Sequence, residues 1–311
     1  KDKNILDFID KQMLIIMNND KEMKNFFQEL LGYCLSGSMN EDYYYIWYGK
    51  EGSNGKSTVT MLLQLLMSKF YSQLNKKVLV DLNTRSNHET YLENIENKRL
   101  SVFGELSKND KIRDDRLKKL TSKCDQITYR KAYGSKERTF IPTSKIIIQT
   151  NFYPNLNVND SAMMRRTIVI PFNKVFKDNP IKPNECKKDK KIVQKMIKNL
   201  DAFFTWMLQG SIRYFKRGKF AIPKKCETAK ETMMNELDII KQFIDETLEY
   251  DKSLKKVQSI ETKDVWELWL DYEFKDSLIT KKTFFQQVSI HLGKKCKTKN
   301  KRVYWRWKPK N

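Results

Sequence analysis

The sequence predicts a doubly wound α/β domain, and three observations carry that reading. A short aromatic and β-branched run ends in a glycine-bearing loop, an apolar helical stripe follows directly, and four more short apolar runs come later with helix-length segments between them. The first run is Tyr43 to Tyr48, which suits a buried strand. After the loop, Val59, Met61, Leu62, Leu65, Leu66 and Phe70 form one stripe over residues 57–70 with no glycine or proline, so a helix is expected there. The runs at 78–80, 100–103, 145–149 and 167–171 read as further core strands, closing a domain over residues 41–175. Before it, Ile5, Phe8, Ile9, Leu14, Phe26, Phe27, Leu30 and Leu31 recur at helical spacing, giving a helical segment over 1–40. After it, residues 176–224 read as a linker and helices: Pro180, Pro183 and many lysines first, then a helical stretch at 192–215. Residues 225–311 carry helical patterns near 228–250, 262–274 and 283–292. The alternating run Val303-Tyr304-Trp305-Arg306-Trp307 then completes a winged-helix-like C-terminal domain.

With 40% apolar and 12% aromatic residues, the 311-residue chain has enough hydrophobic side chain to bury a core. Its net charge of +22 favours a polyanionic partner, nucleic acid first; a solvated lysine-rich surface is the plain alternative. The five cysteines and two histidines are scattered without metal-site spacing, which argues against structural zinc and for reduced thiols. Apolar runs are too short to cross a bilayer and the start has no signal-peptide core, so a soluble, non-secreted protein is expected. The missing initiator methionine suggests a fragment of something longer.

The chemistry begins in the loop. Gly52, Ser53, Asn54, Gly55, Lys56, Ser57 and Thr58 stand after a strand and before a helix, the setting of a nucleotide phosphate loop. Glycines let backbone N–H groups turn towards phosphates and the helix start adds its positive end; Lys56 would reach the outer phosphates and the Ser57 hydroxyl would ligate magnesium. The spacing departs by one, with Lys50 where the first glycine usually stands and Gly49 one residue earlier. Downstream, the run Arg99 to Gly104 ends in Glu105, read as the general base beside the metal. The strand at 145–149 leads to Asn151, read as the sensor of the γ-phosphate or the lytic water. Arg165 and Arg166 precede the last core strand, and a guanidinium there could stabilise the transferring phosphoryl group, from a neighbouring subunit if need be; Arg166 is preferred.

In this order the residues resemble the superfamily 3 helicases, specifically the helicase half of viral, phage and plasmid primase-helicases. Besides the loop, Glu105, Asn151 and Arg166, the likeness takes in Leu31-Gly32-Tyr33, Leu117 to Thr121, Asp125 to Arg130, Phe140, Pro142, Pro171-Phe172 and, in the tail, Val265-Trp266-Glu267-Leu268-Trp269. It departs at Ser122-Lys123-Cys124, where the family carries two glycines, and at Gly104, where relatives often have a second acid. The resemblance implies a modified AAA+ fold and a hexameric ring with ATP and magnesium at subunit interfaces. It also implies 3′ to 5′ movement along single-stranded or forked DNA, a primase domain as fused or separate partner, and a cytoplasmic or nuclear replication site in a host cell. Residues 128–140 read as a hairpin around Gly134-Ser135-Lys136. In the family such a hairpin projects into the ring channel, which assigns DNA contact to Lys131, Tyr133 and Lys136. The alternative function is an ATP-dependent replication initiator or scaffold that binds DNA without unwinding it.

Overall fold

The computed structural model describes residues 3–80, 90–104, 106–107, 110–131, 136–251, 260–272, 279–293, 296–297 and 303–310. Two compact units divide the chain, Lys1–Glu231 and Thr232–Asn311.

The first unit begins with α1 (Lys3–Ile16) and α2 (Lys21–Tyr33), followed by β1 (Tyr44–Tyr48), α3 (Lys56–Met67), β2 (Tyr71–Leu74), the one-turn α4 (Lys76–Leu79) and β3 (Leu100–Phe103). Then come α5 (Asp114–Thr121), the hairpin β4 (Ile127–Arg130) and β5 (Glu137–Phe140), β6 (Lys145–Thr150), α6 (Ser161–Arg166) and β7 (Thr167–Pro171). A short parallel pair, β8 (Val175–Lys177) and β9 (Glu185–Lys187), lies inside the stretch expected to be linker. It leads to α7 (Ile192–Lys198), α8 (Leu200–Arg217) and α9 (Lys224–Leu237), the last crossing the division between units.

Five strands form one parallel sheet in the order β2-β3-β6-β1-β7, with Ile46 of β1 opposite Ile148 of β6 on one side and Val169 of β7 on the other. A parallel sheet is covered on both faces, which is why its central strands read as unbroken apolar runs: all four residues of β3 and Tyr44 to Trp47 are buried. One expected strand is corrected. Residues 78–80 contribute α4 and a single bridge from Val80 to Ile112, and the edge strand is β2 instead. Asn75 Oδ1 accepts from Lys77 N at 2.9 Å and starts the turn, while Val78 and Leu79 are buried on it; a three-residue apolar run has no period that separates strand from helix. β2 was illegible because it sits at the edge and reads Tyr-Ser-Gln-Leu.

The helices of 1–40 and 192–217 share one core with the sheet, where Phe27 of α2 packs on Trp47 of β1 and on Phe172. Helices α2 and α8 cross where Gly32 meets Gly210: a Cβ on Gly210 would stand 2.1 Å from the Gln28 carbonyl oxygen, and one on Gly32 would stand 2.2 Å from Ser211 N. Buried polar groups fix the register of that crossing. Gln28 donates to the Trp206 carbonyl at 2.7 Å and accepts from Arg213 at 2.6 Å, and Glu29 pairs with Arg217 and Arg213.

The second unit contains α10 (Ile239–Thr247), β10 (Leu248–Tyr250), β11 (Ile260–Glu261), α11 (Thr262–Asp271), α12 (Lys281–Leu292), β12 (Cys296–Lys297), β13 (Val303–Trp305) and β14 (Trp307–Pro309). Its core is aromatic, with Phe243, Trp269, Phe284 and Trp305 buried together. The alternating terminal run is split at Arg306: β13 pairs with β11 and β12, and β14 pairs with β10. No helix among the described residues is long and apolar enough to cross a membrane.

The α2–α8 crossing yields a stability test. Gly210→Ala places its methyl against backbone that cannot swing aside, and should cost about 2–4 kcal/mol by chemical denaturation, whereas Gln209→Ala on the exposed side of the same helix should stay within about 0.5 kcal/mol.

Candidate functional site

The carboxyl ends of a parallel sheet are where such folds hold ligands, and here three strand ends bring the motifs together. Because β6 lies between β1 and β3, Asn151 just past β6 falls between the loop that follows β1 and the segment that follows β3. Gly49 N donates to the Thr150 carbonyl at 3.2 Å and ties the start of the loop to β6. Within the loop, Asn54 Nδ2 donates to the Glu51 carbonyl at 2.8 Å, and the Ser53 carbonyl accepts from Phe176 N of β8 at 2.8 Å.

Gly55 caps α3 with φ +90°, a left-handed conformation in which a side chain would be strained, and makes no side-chain cap. The first N–H groups of α3, from Lys56 to Thr58, therefore open onto the loop without a capping side chain, as an anion site requires. The displaced glycine also finds its reason. A Cβ on Gly49 would stand 2.1 Å from Asn54 Nδ2 and 2.9 Å from Lys56 Nζ, so the position that must be small is 49, and Lys50 is free to be large and exposed.

Lys56 is only 6% exposed, and its Nζ donates to Asn151 Oδ1 at 2.8 Å and to the Gly49 carbonyl at 3.3 Å. Both partners are neutral, and burial alone holds its pKa down to about 8. A cleft of about 770 Å³ opens over these groups, lined also by Ser53, Ser57, Gln73 of β2 and Gly104. Gln73 Oε1 accepts from Tyr71 Oη at 2.7 Å. A second, narrower cleft of about 360 Å³ borders the same loop. Ile16 of α1, Phe176 of β8 and Ile192, Val193 and Met196 of α7 give it an apolar wall, and Gln12, Thr58, Lys188, Asp189 and Lys190 add polar and charged groups. Sequence reasoning noted Gly49 as the displaced glycine but missed Gln73 and this second cleft. Its lining comes from segments far from the loop in the chain, each with an ordinary helical or strand pattern, so no local signal marked it.

The expected site residues fall in different places. Lys56, Ser57 and Asn151 converge on the larger cleft; Glu105 and Tyr133 lie outside the described residues. Arg165 and Arg166 stand at the other end of the sheet: β7 runs parallel to β1 with Thr167 opposite Tyr44 and Pro171 opposite Tyr48, so about 13 Å of strand separates these arginines from the loop end. Arg166 is half-buried and turns back to donate to the Ala162 carbonyl at 3.2 Å, while Arg165 is exposed. In the hairpin, Lys131 forms an ion pair with Glu93, and Tyr129 donates to Glu96 at 2.6 Å, which tethers the hairpin base; Lys136 is exposed.

Comparison with known proteins adds to this geometry. A family of unknown function, DUF5906, matches residues 47–166, a span that contains every one of the expected site residues. A protein of Acanthamoeba polyphaga mimivirus provisionally named a helicase is 26% identical over 269 residues, covering 83% of this chain and 27% of the viral protein. Primase D5 of fowlpox virus is 28% identical over 173 residues, covering 54% of the chain and 21% of that protein. The chain thus spans about a quarter of the length of these curated relatives. Among solved structures, the apo C-terminal region of NrS-1 superposes with a TM-score of 0.59 at 18% identity, covering 97% of this chain and 74% of that one, and so shares the fold. The chain is a relative of the helicase- and primase-named proteins of large DNA viruses, the group that its loop, acid, amide and arginine in order had already resembled.

Proposed function

We propose that the chain is the motor part of a replicative primase-helicase of the superfamily 3, AAA+ type, which hydrolyses ATP to move along single-stranded DNA, 3′ to 5′, as a hexameric ring. The observation that carries the reading is the buried contact between Lys56 and Asn151, 95 positions apart, at the foot of a cleft bordered by an uncapped helix start. The triphosphate lies in the larger cleft with its outer phosphates on Lys56 and on the first N–H groups of α3. The base lies in the apolar cleft between α1, β8 and α7, with Gln12 at its edge. Ser57 faces the larger cleft and fits a magnesium ligand; Glu105 would join it, and the bound ion would neutralise phosphate charge. Glu105 activates the water and Asn151 orients it.

When phosphate arrives, Lys56 exchanges a neutral partner for an anionic one and Asn151 is released to the γ-phosphate and water. That exchange signals occupancy to β6, whose other end receives the chain from hairpin strand β5. Arg165 or Arg166, too far to serve its own cleft, completes a neighbour's, and Lys131, Tyr133 and Lys136 of the hairpin grip the DNA backbone.

Three outcomes test this. Lys56→Ala and Glu105→Gln should each abolish DNA-stimulated ATP hydrolysis and unwinding of a forked duplex; unwinding at the wild-type rate by either would overturn the assignment, and ATP-dependent assembly on DNA without strand separation would favour the initiator or scaffold reading. The depressed pKa of Lys56 has a signature in binding. Phosphate favours the charged amine, so ATP affinity should be flat below pH 8, fall above it, and be accompanied by proton uptake near pH 8; calorimetry in two buffers of different ionisation heat reads that uptake. Finally, alanine at the operative arginine should lower turnover by on the order of a thousandfold while sparing ATP binding. Mixing that variant with Lys56→Ala should restore part of the activity, because some mixed interfaces regain both groups; no restoration at any ratio for either Arg165→Ala or Arg166→Ala would sink the shared-site model.

A further inference from the structure

Helix α8 has an outer face that the functional reading does not use. Its inner face, including Phe203, Trp206, Met207, Gly210 and Tyr214, is buried in the core of the first unit. On the far side, Phe204, Leu208, Ile212 and Phe215 are 41%, 41%, 60% and 46% exposed. At 3.6 residues per turn these four fall within about 80° of arc and form one stripe about 16 Å long. Singly exposed apolar residues are common, but four in line on one rigid helix make a patch on the order of 400 Å², the size at which a surface usually has a partner.

The order of the stripe indicates which partner. From the N-terminal end it reads aromatic, aliphatic, aliphatic, aromatic, and it reads the same from the C-terminal end, with its midpoint between Leu208 and Ile212. Charge is distributed the opposite way along the helix: Asp201 is exposed in the first turn, whereas Lys216, Arg217 and, just beyond the helix, Lys219 are exposed at its end. Laid antiparallel on a second copy of itself, such a helix sets Phe204 against the other copy's Phe215, Leu208 against Ile212, and the acidic end against the basic end, with the two helix dipoles opposed favourably. A two-fold interface requires a self-complementary surface of this kind.

We propose that α8 is a homodimer contact in which the Phe204-Leu208-Ile212-Phe215 stripes of two copies pack antiparallel. This contact closes after two chains, so it cannot by itself build a ring. It needs no nucleotide and does not rest on the helicase reading. With both stripes covered, the buried area is on the order of 800 Å², below the usual size of a stable interface, so the pair is weak.

Sedimentation velocity of the full chain without nucleotide, across a concentration series from about 1 μM to about 1 mM, the range of weak complexes, should show reversible dimerisation. Leu208→Glu together with Ile212→Glu should weaken it at least tenfold, while thermal stability and ATP binding stay at wild-type values and establish that the fold is intact. Lys216→Glu should weaken the dimer severalfold, and adding Asp201→Lys to the same chain should restore it, since only an antiparallel pair brings those two positions together across copies. A chain that stays monomeric throughout the series, or a dimer indifferent to the double glutamate variant, would overturn the proposal. Loss of ATP binding by the wild-type chain would instead count against the nucleotide site and leave this measurement readable.

Discussion

A lysine almost without water and without an anion beside it sets the terms for the first unit. Among the described residues, Lys56 has only neutral oxygens for partners, those of Asn151 and Gly49, and burial alone lowers its pKa to about 8. Holding a cation there costs free energy that an exposed lysine would not incur. The surrounding structure keeps it in place: Gly49 leaves room for the ammonium group, Gly55 turns the chain into α3, Asn151 supplies an oxygen from the neighbouring strand, and Phe176 fastens the loop through the Ser53 carbonyl. In the proposed reading that cost is offset when polyphosphate arrives, since its charge would favour the protonated amine.

That requirement also explains the sheet. Were β6 not between β1 and β3, the amide that meets Lys56 would have to come from a loop, with a loop's tolerance in position. Placed at the end of a central strand buried on both faces, Asn151 is fixed by the register that sets Tyr48 opposite Thr150. The N-terminal helices serve the same end. α1 contributes Ile16 behind Gly55 and Gln12 to the apolar cleft, and α1 and α2 are anchored to α8 through the Asp10–Trp206 and Gln28–Trp206 hydrogen bonds.

Much of this was legible in the sequence, and what was not has identifiable causes. Central strands buried on both faces announce themselves as apolar runs, and a loop between such a strand and an uninterrupted apolar helix leaves few readings, so it is no surprise that Lys56, Ser57 and Asn151 line one cleft. The edge strand β2 was hidden because half of it is polar, and the run at 78–80 misled because three residues carry no period. The apolar cleft escaped because it forms only when α1, β8 and α7, distant in the chain, fold against the loop. Local patterns report what an element buries; they are silent about which distant elements share a surface.

The arginines show how far placement alone can carry an argument about assembly. A parallel strand of five residues fixes which of its ends lies near the loop, and Arg165 and Arg166 precede the wrong end of β7 for their own cleft. In the proposed reading this is the geometry a shared site needs, since a cation able to reach its own nucleotide would let a lone subunit turn over. Sequence favoured Arg166, yet that side chain is half-buried and bonded to its own helix at Ala162, while Arg165 is exposed. If a guanidinium must cross to a neighbour, the exposed one does so without giving up an intramolecular hydrogen bond, and Arg166 is better suited to holding α6 rigid beneath it. The contact proposed at α8 is of another kind: two like surfaces close on themselves, whereas an arginine serving another subunit's cleft joins unlike surfaces and continues around a ring. One chain can carry both because the two contacts use different elements, and only the arginine contact answers to nucleotide.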